Sequence, residues 1–254
     1  MKDRAHLVAH DESRDAGVPV SSVEDSLGTK LLPFVLSVNA GSVDVIGFLG
    51  LGGLFTAHIT GNLVILAARL LAGGQAPVAH LISVPVFVAV LVLTRLLAGG
   101  LERVRIASLR PLLLLQFLLL AGFLVLCVAA GPRSNPNAAS MVVAGMLGVS
   151  AMAVQNALVQ ISLQGAPATA VMTTNITRLA MDIGDVLLAR DPDDVAKARS
   201  RAKHTWPAVV GFALGCGLGA AGEVGLGLWS LALPVGLALL GLALGLSAKP
   251  DDGG

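Results

Sequence analysis

The sequence predicts an all-α membrane protein made of two related halves, and three observations carry that prediction. Of the 254 residues, 55% are hydrophobic and only 13% are charged, where a soluble domain would carry about 25%. The charges also leave long blocks almost empty. From Leu31 to Thr94 the acidic and basic residues are Asp44 and Arg69, and from Pro207 to Ser247 there is Glu223. Third, a polar pattern, T-A-x-x-T-x-N, occurs twice. It reads Thr56-Ala57-His58-Ile59-Thr60-Gly61-Asn62 and again Thr169-Ala170-Val171-Met172-Thr173-Thr174-Asn175, each time running on into an apolar helical segment. One polar motif per half of a very apolar chain is the mark of membrane proteins built from repeats, which bind their substrates where the halves meet.

The elements follow in order. Residues 1–29 form a polar tail of mixed charge without the apolar core of a signal peptide, expected to be cytoplasmic. Residues 30–248 form a single transmembrane domain with repeat halves at about 31–131 and 138–247. Its apolar segments lie at about 31–52, 54–73, 79–98, 111–131, 138–163, 168–189, 206–222 and 226–247. A spanning helix needs about 20 apolar residues. Segments two and six fall short of that standard, because each opens with polar residues and the sixth also carries Arg178, Asp182 and Asp185.

Basic residues mark cytoplasmic loops. One cluster holds Arg95, Arg103, Arg105 and Arg110; another holds Arg190, Lys197, Arg199, Arg201 and Lys203; Arg133 stands alone. If segments two and six dip into the membrane and return, every strongly basic stretch and both termini are cytoplasmic. The expectation is therefore about six transmembrane helices plus two short broken or re-entrant helices. Three spans per half make the halves inverted. Seven or eight spans, with one or both broken segments crossing, are the alternative, and eight would make the halves parallel.

In the re-entrant arrangement the chain turns back at Gly52-Gly53, enters as extended backbone, and starts short helices near Asn62 and Asn175. Thr60, Thr173 and Thr174 suit helix N-caps, and Gly61 permits close backbone approach. Helix N-termini carry partial positive charge and free N–H donors. Two of them facing one cavity, with Arg178 beside them, would suit a small polar or anionic solute. Thr60, Gly61, Asn62, Thr173, Thr174, Asn175, Gln155, Asn156 and Arg178 are the candidate substrate-binding residues. Plain helix packing uses the same small and polar residue types; the repetition is what argues for a site.

Asp44 stands midway along the first helix, where a carboxylate costs about 2.5–3.5 kcal/mol on insertion scales. It is the candidate for ion or proton coupling, together with His58, whose imidazole titrates near neutrality. The competing account is a structural pair of Asp44 with Arg69 or Arg178. Asp182 follows Arg178 by four residues, the spacing of a helical ion pair. Glu223 is expected in a solvated turn. Gly211, Gly215 and Gly219 line one helix face and allow close packing.

Other function classes find no support in the pattern. There is no basic stripe interleaved with aromatics, so no nucleic-acid partner is expected. Cys127 and Cys216 sit in apolar runs without metal or disulfide spacing. No nucleophile elbow, zinc-protease helix or phosphate loop occurs, so no enzymatic activity, cofactor or metal is expected. Partners are the lipid bilayer and an unidentified small solute, and small residues on several helices would permit a homodimer.

The run Ala40-Gly41-Ser42-Val43-Asp44, then Phe55 through Asn62, then Val154-Gln155-Asn156-Ala157, then Thr169 through Asn175 resembles the YoaK-like bacterial membrane proteins, catalogued as a domain of unknown function. The resemblance covers about residues 30 to 248. It implies a multi-pass inner membrane protein and no particular substrate. The leading expectation is a small secondary transporter or permease with a midplane site. The alternative is a non-transporting scaffold or sensor acting through its cytoplasmic loops, and an intramembrane enzyme using Asp44 and His58 ranks last.

Overall fold

The computed structural model describes residues 27–72, 78–131 and 135–247. Nearly all of the expected tail, together with Arg133 and Lys249, lies outside the described residues. Within them the secondary structure is wholly helical: α1 (Leu27–Gly50), α2 (Ile59–Leu71), α3 (Val78–Arg103), α4 (Leu109–Ala130), α5 (Ala139–Ser162), α6 (Met172–Leu188), α7 (Pro192–Leu226), a 3-10 turn (Gly227–Leu231) and α8 (Ala232–Ser247).

Five stretches are long and apolar enough to cross a membrane: Leu31–Gly50, Val78–Arg103, Leu109–Ala130, Ala139–Ser162, and Pro192–Ser247, which joins α7 to α8 through the 3-10 turn. α2 has 13 residues, a length of about 20 Å at 1.5 Å per residue, short of the ~30 Å hydrocarbon core. α6 has 17 residues and carries three charges. Large apolar side chains also cover the outside of the bundle, among them Leu81, Val88, Val92 and Leu96 of α3 and Leu114, Leu118 and Val125 of α4. Helices apolar on their inner and outer faces alike suit a lipid surrounding.

The helices pair in a regular way. α1 packs on α7 and α8, and α5 packs on α3 and α4; α2 packs on α3, and α6 on α7; α4 meets α8, and α1 meets α5. Exchanging α1 with α5, α2 with α6, α3 with α7 and α4 with α8 turns this set of pairs into itself. The first helix of each half is thus held by the third and fourth helices of the other half.

Direction follows from the contacts. Leu32 and Leu36 of α1 cluster with Leu158 and Leu163 at the end of α5. At the far end, Leu51 and Leu54 approach Gly145 near the start of α5. α1 and α5 therefore run antiparallel. α4 and α8 do too, since Arg110 at the start of α4 donates to the carbonyls of Gly245 and Leu246 at the end of α8.

α1 and α7 run parallel and very close. A Cβ at Gly211 would stand 3.1 Å from Phe34 O, one at Gly219 would stand 2.7 Å from Ser42 O, and one at Gly215 would overlap Val38 O. The expected glycine face is thus the seam between the halves. Glu223 lies in the last turn of α7, with its carboxylate accepting from Ser230 at 2.9 Å; the expected free turn between α7 and α8 is instead a 3-10 turn folded back on it.

Two apolar clusters fill the core. One is built on Leu36, Leu112, Leu113, Val154 and Leu158, the other on Val43, Ile46, Leu120, Phe123 and Met152. Asn39 and Gln116 fall between the two sets of positions along α1 and α4, and Gln155 of α5 meets them there. They form a buried polar layer at the junction of the two clusters.

Candidate functional site

The first repeated motif lies in the loop between α1 and α2. α1 stops at a turn that needs glycine: Gly52 and Gly53 have φ of 68° and 91°, and Gly53 N donates to Phe48 O at 2.9 Å. This six-to-one bond after a left-handed residue is a Schellman cap. The expected reversal at Gly52-Gly53 is therefore present. Two side chains further along the chain hold its carbonyls. Arg69 donates to Gly52 O at 2.6 Å, and His80 Nε2 lies 3.0 Å from Gly53 O.

Asp44 then organises the chain that enters α2. Its Oδ1 accepts from Thr56 N and Ala57 N, both at 2.7 Å, from Thr56 Oγ1 at 3.3 Å and from His58 N at 3.4 Å. Its Oδ2 lies 2.6 Å from His58 Nδ1. Consecutive N–H groups around one oxygen form an anion-binding nest, and here the anion comes from the protein. The pairing with Arg69 or Arg178 considered from sequence does not occur, because unwound backbone gives the carboxylate nearer donors. Asp44 is buried, whereas the His58 side chain is 40% exposed, with its ring near those of Phe55 and Phe212.

Asn62 fixes the same loop from within α2. Its Oδ1 accepts from Phe55 N at 2.9 Å, and its Nδ2 donates to Phe55 O at 2.8 Å and to Ser83 Oγ at 3.1 Å. One side-chain amide thereby satisfies both backbone groups of an unwound residue, as burial in a membrane protein demands. Gly61 makes room for this: a Cβ there would come within 2.8 Å of the Phe55 ring.

The second half repeats the plan with different chemistry. Asn175 donates to Ala168 O at 2.6 Å, seven residues back, as Asn62 does to Phe55. His204 Nε2 lies 2.8 Å from the carbonyl of Gly165, which has φ of 86°; His80 plays that part in the first half. Proline follows each histidine within its helix, Pro85 in α3 and Pro207 in α7. Thr169, the counterpart of Thr56, is held by an amide. Gln155 Nε2 donates to Thr169 Oγ1 and to Leu36 O, both at 2.9 Å, and its Oε1 accepts from Asn39 at 3.0 Å and Gln116 at 2.7 Å. Where the first loop is centred on a carboxylate, the second is centred on a neutral amide.

The other candidate residues divide by exposure. Thr60, Thr173, Thr174 and Arg178 are exposed. Asn62, Asn175 and Gln155 are buried and bonded within the protein, and Asn156 donates to Met152 O of its own helix. The expectation that Thr60, Thr173 and Thr174 act as N-caps needs correcting. α2 begins at Ile59 with His58 as N-cap, α6 begins at Met172 with Val171 as N-cap, and neither has a side-chain cap. Both helices start three residues before the asparagines expected to open them. At α2, Asp44 and Asn62 hold the unwound residues ahead of the helix, Phe55 to His58, and do not cap the N–H groups of its first turn.

Arg178 also sits differently from expectation. Asp182 pairs with Arg201 of α7 at 2.6 Å, not with Arg178, and Arg201 reaches Asp185 at 2.9 Å as well. A partner across the helix interface displaces the intrahelical one, leaving Arg178 on an open groove of about 760 Å³ between α6 and α7, beside Thr177, Ser200, His204 and Thr205. The two motifs are not bonded to each other. The halves meet at the Asn39–Gln155 bond and at the contact of His58 with Phe212 of α7. Sequence reasoning missed Gln116, His80 and His204, single polar residues outside the repeated motif. The last two could have been noticed as one histidine a few residues before a proline in each half.

Among the described residues, no three His, Cys, Asp or Glu side chains gather as for a metal ion. A family model with the description "Protein of unknown function (DUF1275)" matches residues 32–244. No curated protein and no solved structure matches the chain.

Proposed function

The chain belongs to the DUF1275 family of proteins of unknown function, and we propose that it is a small secondary transporter of the inner (plasma) membrane for a small polar or anionic solute. In this reading six helices span, α1, α3, α4, α5, α7 and α8, while α2 and α6 enter and return. Both termini are cytoplasmic and the halves are inverted. The observation that carries the reading is the exchange of packing pairs between the halves, with α1 antiparallel to α5 and α4 antiparallel to α8. That is the architecture in which one half rocks against the other around a midplane site.

The difference between the halves supports a refined site. At α2 the positive helix end is already neutralised by Asp44, which lies on the N–H groups just ahead of it. At α6 the corresponding loop is held by neutral Gln155. The start of α6 therefore keeps its positive end, with Thr173 and Thr174 exposed on its first turn and Arg178 further along. These three residues, with Thr60, would face an anionic solute. Asn62, Asn175 and Gln155 would shape the loops around it. Asp44 and His58 would couple proton movement, because protonating the carboxylate removes the anion that gathers the loop.

The test is uptake by proteoliposomes of a panel of small carboxylates and inorganic anions, with and without an imposed proton gradient. At least one anion should accumulate above protein-free vesicles, Arg178→Ala should abolish its uptake, and His58→Ala should remove the response to the gradient. A panel that yields no protein-dependent accumulation contradicts the reading. The open α6–α7 groove, where Arg178, Asp182, Asp185 and Arg201 meet apolar surface, favours a second reading, a scaffold or sensor that binds a partner there. In that case groove variants, and not loop variants, would abolish biological activity.

A further inference from the structure

The buried polar layer leaves two amide oxygens without a donor. Gln155 sits at its centre with a fixed orientation. Leu36 O can only accept, so the Gln155 nitrogen must face it at 2.9 Å, and Oε1 must face Asn39 and Gln116. Both of those amides must then present their nitrogens to Oε1, at 3.0 and 2.7 Å. Their own oxygens, Asn39 Oδ1 and Gln116 Oε1, have no hydrogen-bond partner although both residues are fully buried. Flipping either amide would set oxygen against oxygen, so neither oxygen is relieved by turning its amide over.

A buried acceptor left alone is destabilising, and hydrocarbon around the bundle offers nothing to bond. A cation within reach of both oxygens would remove both deficits at once. The oxygens available are neutral amide carbonyls, and Asp44, the carboxylate of α1, is committed to the Thr56–His58 backbone. Calcium and magnesium sites are built around carboxylates, whereas sodium in broken-helix transporters is held by carbonyl oxygens. We propose that Asn39 Oδ1 and Gln116 Oε1 form part of a buried site for a sodium-sized monovalent cation at the junction of α1, α4 and α5. The site would bridge the halves, since Asn39 and Gln116 belong to the first half and reach Gln155 of the second. It does not depend on the transport reading: a scaffold can hold such an ion, and a transporter can work without it.

The experiment is retention of ²²Na⁺ by the purified full chain in detergent, competed by unlabelled ions at constant ionic strength. Saturable retention should be displaced by sodium, weakly by potassium and not at all by choline. The thermal midpoint should rise when sodium replaces choline at about 100 mM, as for any ligand that binds the folded state alone. Asn39→Leu and Gln116→Leu should each weaken retention about ten-fold or more, while Ser150→Ala, whose hydroxyl bonds only Met146 O of its own helix, should retain it. Absence of saturable retention by the native chain overturns the site whatever the variants do. Equal displacement by potassium overturns the assignment to sodium. Because no flux is measured, the result is independent of whether any solute is carried.

Discussion

Thr56 donates its backbone N–H to Asp44 Oδ1 at 2.7 Å, and Ala57 donates to the same oxygen at the same distance. A side chain from the last two turns of α1 thus holds the unwound chain that leads into α2. Replacing Asp44 with alanine leaves these amides buried without an acceptor, at about 1–3 kcal/mol each. Asp44→Asn keeps one carbonyl oxygen for them. The thermal midpoint in detergent should fall clearly in Asp44→Ala and less in Asp44→Asn. Equal midpoints for native protein and Asp44→Ala would remove the loop-holding role.

The two motif asparagines should differ in weight. Asn62 makes three hydrogen bonds, to both backbone groups of Phe55 and to Ser83. Asn175 makes one backbone bond, to Ala168 O, and a long contact of 3.9 Å to the Met172 sulfur, while its Oδ1 is unpartnered. At about 1 kcal/mol per bond, Asn62→Ala should lower the unfolding midpoint more than Asn175→Ala. The reverse order would show that the amide of the second half is satisfied in a way the first is not.

The α1–α7 seam can be probed by adding one carbon. Gly215→Ala drives a Cβ into the Val38 carbonyl, which cannot move without moving α1, and overpacking of this kind costs about 1–3 kcal/mol. Gly217, two residues on, has open space around it. Gly217→Ala should leave yield and midpoint unchanged, and Gly215→Ala should lower both. Tolerance of both changes would mean the halves are not held by this contact.

Arg201 ties α7 to α6 through Asp182 and Asp185. Arg201→Ala should speed amide hydrogen exchange in α6 while leaving α2 unchanged, since α2 packs on α3 and shares no ion pair with α7. Uniform exchange across both short helices would show that α6 is held by its apolar contacts alone.

Much of this arrangement was legible in the sequence because it repeats. The doubled motif located the starts of both short helices, Gly52-Gly53 located the reversal, and the spacing of Gly211, Gly215 and Gly219 located the seam. What the sequence hid was partnership over long separations. Nothing local to Asp44 shows that its acceptor capacity is met twelve residues on, so the hydroxyls of Thr60, Thr173 and Thr174 were the natural caps to expect. Arg178 and Asp182 have a helical pairing interval, yet Arg201 comes from another helix and takes the carboxylate. Gln116 is one amide in a run of leucines, and its meeting with Gln155 depends on how α4 and α5 are joined.

The central claim is that the halves are inverted around two re-entrant segments, and cysteine accessibility from each side of the membrane tests it most directly. With Cys127 and Cys216 replaced by alanine, single cysteines at exposed Ala72, Gln164 and Arg199 would be challenged with an impermeant thiol reagent in intact cells and in inverted vesicles. Labelling of Ala72→Cys from outside, with Gln164→Cys and Arg199→Cys labelled from inside, is the result predicted by six spans. Labelling of Ala72→Cys from inside would mean that the second segment crosses the membrane, and the inverted-repeat account would fall with it.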